Sequence, residues 1–239
     1  MPVAPRLTQS LQVWLHVQST VWLALLVALA LHGPGELPLA WRDLGLTLLA
    51  LSIASLVLIL GAVRNLADLT TIARGVGLTA VAWAGFSDRG MIWFLCAATV
   101  VIGDLLDGAL ARRYGGSAQG AILDMETDQA TVLTLAVLAV IEGIGLHVLV
   151  LPALRYIFVL AMWLVGAKAH EPKPVNGDNG RGRRICAFVL ASLLAALCPV
   201  VPNSVGNAVT IIAVVLLAWS FSSDALFLVS QARTRKVKA

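Results

Sequence analysis

Thirteen of the 239 residues are acidic, and five of these fall in one short stretch: Asp104, Asp107, Asp124, Glu126 and Asp128. Asp104 and Asp107 follow the apolar run Met91–Gly103, so they lie inside a helix and not in the loop after it. At about 1.5 Å rise per residue, Asp104 is roughly 13 Å short of Arg113 along the axis. Asp124 and Asp128 enter the next helix in the same way. Carboxylates at that depth are costly in an apolar helix and usually functional. Asp104 and Asp107 are spaced i,i+3 and share a face; Asp124 and Asp128 are spaced i,i+4 and share another. The linker Tyr114–Gln119 permits only an antiparallel hairpin, so the two faces converge. Four carboxylates on one spot repel unless cations sit among them. Such hard oxygen ligands suit Mg²⁺, Mn²⁺ or Ca²⁺. A pair of divalent ions is the usual device for holding a diphosphate and stabilising phosphoryl transfer. Arg112 lies one turn after Gly108 and can grip a phosphate bidentately. Gly108, Ala111 and Gly120 let a helix or a ligand approach closely, although single small residues in apolar helices more often serve packing.

The elements that position these residues follow from composition. Hydrophobic residues make up 59% of the chain and charged residues 13%, against about 25% charged in soluble domains. Mean hydropathy is +0.88. A soluble domain, a disordered chain and a disulfide-stapled domain are excluded, and the alternation of a membrane barrel is missing. A helix needs about 20 apolar residues to cross a bilayer. The pattern predicts spans at Leu11–Leu31, Leu44–Val63, Leu69–Phe86, Met91–Arg113, Gly120–Ile141 and Val148–Ala167. The apolar stretch Ile185–Ser223 folds back near Pro199, Pro202, Asn203 and Gly206, because Pro and Gly mark turns. The expected fold is therefore an all-α integral membrane protein with eight transmembrane helices. The first apolar run is too long for a cleavable signal peptide. Cys96, Cys186 and Cys198 lie in apolar runs without metal-ligand spacing and read as packing residues.

The basic residues set the orientation. Eight crossings put both termini on one side, together with Arg6, Arg64, Arg74, Arg112, Arg113, the loop Lys168–Arg184 and the tail Arg233, Arg235, Lys236 and Lys238. The opposite side holds Arg42 and Arg89, with Arg155 nearby. The positive-inside rule places both termini and the acidic cluster in the cytosol, in a cytoplasmic (inner) membrane. The basic tail reads as a face for lipid phosphates and not for nucleic acid.

Written out, the cluster is Asp104-x-x-Asp107-Gly108-x-x-Ala111-Arg112, seven residues, then Gly120-x-x-x-Asp124-x-x-x-Asp128. This resembles the signature of the CDP-alcohol phosphotransferases (CDP-alcohol phosphatidyltransferases), with all eight fixed positions present. The resemblance implies a six-helix core open to the cytosol, preceded here by two extra N-terminal helices. Residues 1–66 would form that extension, 67–232 the catalytic core and 233–239 a basic tail. It also implies attack by a hydroxyl on a CDP-linked lipid such as CDP-diacylglycerol, with release of CMP. Asp104, Asp107, Asp124 and Asp128 would bind Mg²⁺ or Mn²⁺, two ions together, and Asp128 is the candidate base on the acceptor hydroxyl. Gly108, Ala111, Arg112 and Gly120 would line the nucleotide and diphosphate site. A homodimer in membrane lipid is implied too.

Upstream, Asp68-x-x-Thr71-x-x-Arg74 resembles the family's N-x-x-T-x-x-R pattern, with Asp in place of Asn. Thr71 reads as a nucleotide contact or as a helix-start residue, and Arg74 equally as an interface anchor. Glu126 points away from Asp124 and Asp128 and reads as a helix partner. Arg181, Arg183 and Arg184, with Lys168 and Lys173, would suit a phosphorylated small alcohol acceptor; positive-inside bias explains them equally. Asp224 could instead orient an amine. Glu142 and Arg155 are expected to pair across the outer ends of the fifth and sixth helices. His16, His32, His147 and His170 are scattered loop or interface residues. The first two helices would brace the core or form a dimer contact.

A cation or proton transporter is the rival reading of intramembrane carboxylates, but transporters usually repeat their polar sites in two halves. Intramembrane prenyltransferases carry two widely separated Asp motifs. A dead scaffold is disfavoured by the complete set of aspartates. Asp128→Asn is expected to lower transfer by about 10²–10⁴-fold, the range for loss of a positioned base, while the protein still inserts and folds. Near-normal CMP release by the purified variant would remove Asp128 from that role.

Overall fold

Apolar runs bounded by glycine, proline and short polar turns form eight α-helices among the described residues: α1 (Pro5–His32), α2 (Leu39–Leu60), α3 (Leu66–Gly85), α4 (Met91–Tyr114), α5 (Ala118–Ile141), α6 (Val150–Leu164), α7 (Gly180–Ala196) and α8 (Asn203–Val237). One 3₁₀ turn, Leu146–Leu149, leads into α6. The computed structural model describes the backbone of residues 5–33, 37–61, 66–114, 118–164 and 180–237, and side chains within 9–33, 37–61, 66, 68–104, 119–164 and 181–223. No strand occurs among these residues. Four segments are long and apolar enough to cross a membrane: Gln9–His32, Leu39–Leu60, Leu146–Leu164 and Asn203–Ser223. Met91–Asp104 is a shorter apolar helix. The helices agree with the expected spans to within a few residues at most ends.

Two boundaries differ for local reasons. α2 begins before the predicted Leu44, because Pro38 caps its start and Arg42 pairs with the adjacent Asp43 at 3.0 Å. It stops at Gly61, whose φ of 65° lets its N–H reach the Leu58 carbonyl, the usual left-handed helix end. α8 runs on through the basic residues to Val237. Its 35 residues span about 52 Å, more than the ~30 Å hydrocarbon core.

α5 is the central post. Leu135, Ala136, Leu138, Ala139 and Val140 in its second half are all almost fully buried, against α2, α3, α6 and α7. A helix covered on all sides needs no polar face there. Lower down, the buried Thr127 and Thr131 hydroxyls donate to the Leu123 and Thr127 carbonyls, each at 2.8 Å. This satisfies them without water. α3 packs against both α4 and α5.

α1 and α2 brace the rest of the bundle. α1 lies on α6, and α2 on α3 and α5. Leu11, Leu15, Leu56, Leu60, Leu123 and Val159 form a shared apolar cluster. Polar ties fix the register between the two helices: Trp14 Nε1 donates to Ser55 Oγ at 2.9 Å and Ser52 Oγ donates to Gln18 Oε1 at 2.7 Å.

Two expectations change, and the described histidines lie at helix interfaces as expected. Cys96 and Cys186 are exposed and Cys198 is only part-buried, so none is a core packing residue. Arg155 pairs with Glu126 (3.0 Å) and not with Glu142. It lies well along α6 and has passed the level of Glu142, which pairs instead with Arg89 beyond the α3–α4 turn. Of the histidines, His16 stacks on Trp163 (centroids 5.0 Å apart), His32 on Trp41 (5.5 Å), and His147 bonds the Thr210 hydroxyl at 2.9 Å; His170 lies outside the described residues.

The α3–α4 hairpin depends on close approach at Gly85. A Cβ there would lie 2.8 Å from Trp93 Nε1 and 3.0 Å from Leu138 Cδ1. The indole is held by its bond to the Val81 carbonyl, 2.8 Å. Gly85→Ala is therefore expected to cost ~1–3 kcal/mol by overpacking, seen as a lower thermal midpoint in detergent. An unchanged midpoint would mean that the indole moves aside freely.

Candidate active site

α4 and α5 form the predicted hairpin, and α3 lies against both. This arrangement brings Asp104, Asp124 and Asp128 together. Each can offer one oxygen such that the three atoms lie within 4.8 Å of one another. The i,i+4 pair stacks on one face of α5, and Asp104 reaches it from α4, as the spacing required. Asp107, Gly108, Ala111 and Arg112 lie on the last turns of α4, and their side chains fall outside the described residues. Gly120 is part-buried in the first turn of α5.

The fourth wall of the site is Arg74, eight residues into α3 and fully inside the bundle. Its Nη1 donates to Asp104 Oδ1 at 3.1 Å, and its Nη2 donates to Asp124 Oδ1 at 3.0 Å and Asp128 Oδ1 at 2.6 Å. The Arg74 side chain is 4% exposed, whereas the three aspartates are 36–38% exposed. The cluster is therefore closed on the α3 side and open on the other. The Arg74 stem passes Gly103, the neighbour of Asp104, at ordinary contact distance: a Cβ there would lie 3.5 Å from Arg74 Cδ.

Sequence reasoning counted Arg74 among the basic residues of the cytosolic face. The signal that it differs was present: an arginine inside an apolar helix needs counter-charges, and the facing hairpin has a surplus of them. Asp68 and Thr71 are also buried, at 4% and 3%. Since α3 starts at Leu66, Thr71 lies in the second turn and is not a helix-start cap.

Of the acceptor candidates, Arg181 sits over the Trp219 ring, 5.0 Å from its centroid, in the first turn of α7. Arg183 and Arg184 are exposed one turn on. Lys168, Lys173 and Asp224 lie outside the described side chains. Glu126 turns away from the cluster, as its helical position requires, and pairs with Arg155.

Three clustered carboxylates and a phosphate-type motif are compatible with several metal enzymes. The family comparison decides among them: the sequence model for the CDP-alcohol phosphatidyltransferases matches residues 64–219, well over half of the chain. The chain belongs to the CDP-alcohol phosphatidyltransferase family. No curated protein and no solved structure matches it significantly. Membership makes it a transferase that uses a CDP-alcohol donor and an alcohol acceptor. The family generally uses a divalent metal, and the half-open aspartate triad has the hard oxygen donors such an ion requires. The family match begins beyond α1 and α2.

The Glu126–Arg155 pair sits next to the site in sequence, with both side chains largely buried (10% and 14% exposed). Removing one partner of a buried pair leaves an uncompensated charge and costs ~3–5 kcal/mol. Glu126→Ala is expected to show that loss in thermal unfolding, and Glu126→Ala with Arg155→Met to recover most of it. Equal stability of the single and double variants would mean that Arg155 finds another partner.

Proposed function

We propose that this protein is a phospholipid-synthesising enzyme of the cytoplasmic membrane. It transfers a phosphatidyl group from a CDP-linked lipid, such as CDP-diacylglycerol, to the hydroxyl of a small alcohol and releases CMP. The observation that carries the reading is the meeting of Asp104, Asp124 and Asp128 within 4.8 Å inside the segment that matches the family.

In this reading Asp104, Asp107, Asp124 and Asp128 hold Mg²⁺ or Mn²⁺, two ions in the full site. Bound metal would neutralise the diphosphate and the charge developing on the leaving CMP. The chain's own residues supply the rest. Arg112 grips a phosphate oxygen, and Gly108, Ala111 and Gly120 leave room for the nucleotide, with Thr71 beside it. Asp128 accepts the hydroxyl proton as the acceptor oxygen bonds to the lipid-bearing phosphorus. The bond from that phosphorus to the bridging oxygen breaks, and CMP leaves with that oxygen.

The remaining assignments belong to the same proposal. All eight helices cross the membrane, with both termini and the site on the cytosolic side. Residues 1–66 form the extension, 67–232 the catalytic core and 233–239 the basic tail. The enzyme acts as a homodimer among membrane lipids. Arg181, Arg183 and Arg184 favour a phosphorylated acceptor.

The test is CMP release by the purified protein from CDP-diacylglycerol, across a panel of phosphorylated and unphosphorylated alcohols. Release that depends on Mg²⁺ or Mn²⁺, stops with chelator and is largest with one acceptor is expected. Ion flux in liposomes with no CDP-lipid turnover would overturn the enzyme reading in favour of a transporter.

A further inference from the structure

We propose that Arg74 is a resident cation of the carboxylate centre that competes with divalent metal for it. The proposal rests on the metal-dependent reading above. One guanidinium bonds all three clustered aspartates, at 2.6–3.1 Å. These are the same three residues that are placed to share a metal ion. A carboxylate oxygen that accepts from a guanidinium has lost part of its capacity to ligate, and a divalent ion beside the guanidinium is repelled by it. Metal entry therefore requires Arg74 to give up some of these bonds.

The surroundings suit such a role. Arg74 approaches from the buried side, while the carboxylates are open on the opposite side. Metal and donor can then arrive without passing the arginine. Without metal, Arg74 offsets the mutual repulsion of the aspartates and keeps the bundle intact. Arg74 is thus a positioning residue that acts through the aspartates, and it sets how tightly the metal is held between turnovers.

The experiment measures Mn²⁺ affinity by electron paramagnetic resonance and thermal midpoint with and without chelator, on the full-length protein in detergent. Arg74→Gln removes the charge and Arg74→Lys keeps it. Arg74→Gln is expected to bind Mn²⁺ at least about tenfold more tightly than wild type, and Arg74→Lys within about threefold. Tenfold corresponds to about 1.4 kcal/mol. Chelator should leave the wild-type midpoint almost unchanged, but lower that of Arg74→Gln, with Mn²⁺ restoring it. Equal or weaker Mn²⁺ binding by Arg74→Gln would make Arg74 a fixed scaffold and overturn the proposal. If Arg74→Gln does not fold, the wild-type and Arg74→Lys measurements decide: a large chelator-induced drop in both would overturn it. Absence of Mn²⁺ binding by every form would overturn the metal reading itself, a different failure from binding that ignores residue 74.

Discussion

A guanidinium in the apolar part of a helical bundle is tolerated only with anions in reach, since solvent is not available to stabilise its charge. This protein buries one, Arg74, and sets three part-exposed carboxylates around it. Much of the architecture follows from that demand. Asp104 must come from α4, Asp124 and Asp128 from α5, and Arg74 from α3, so these three helices have to pack as a unit. The tight α3–α4 turn and the close approach at Gly85 let them do so.

The same rule governs the other polar groups. Glu126 and Arg155 cancel between α5 and α6, and Arg89 and Glu142 cancel at the other end of the bundle. Gln129 donates to the Pro152 carbonyl at 3.2 Å. Where no charge partner is needed, threonine and serine hydroxyls bond back into their own helices. Helices α1 and α2 obey it too: Trp14 bonds Ser55 and Ser52 bonds Gln18 between them. Several of these residues, with Glu126, Gln129 and Tyr156, line a cavity between α1, α2, α5 and α6. The first two helices thus join the bundle through both apolar and polar contacts, close to the helix that carries Asp124 and Asp128.

Family membership and site geometry support each other in different ways. The family match covers residues 64–219 and thus includes every candidate metal ligand, but a sequence match says nothing about which side chains meet. The structure shows that three of these candidates do meet, and it adds an arginine bonded to all three.

The sequence by itself determined the class of the protein, most helix boundaries and the location of the chemistry. These depend on local properties: the length of apolar runs, the turn preference of Gly and Pro, and the i,i+3 and i,i+4 spacing of four aspartates on a forced hairpin. It misplaced what depends on which helices become neighbours. Arg74 read as a basic residue of a cytosolic face, or as an interface anchor in the Asp68-x-x-Thr71-x-x-Arg74 pattern, until α3 packed against α4 and α5 and set it against three aspartates. Arg155 looked like a partner for Glu142 until the depth of α6 set it beside Glu126. The cysteines read as packing residues because an apolar run does not reveal which side of its helix is covered. Periodicity is a property of one helix, whereas an ion pair needs two. Only the tertiary structure could decide where these buried charges find their partners.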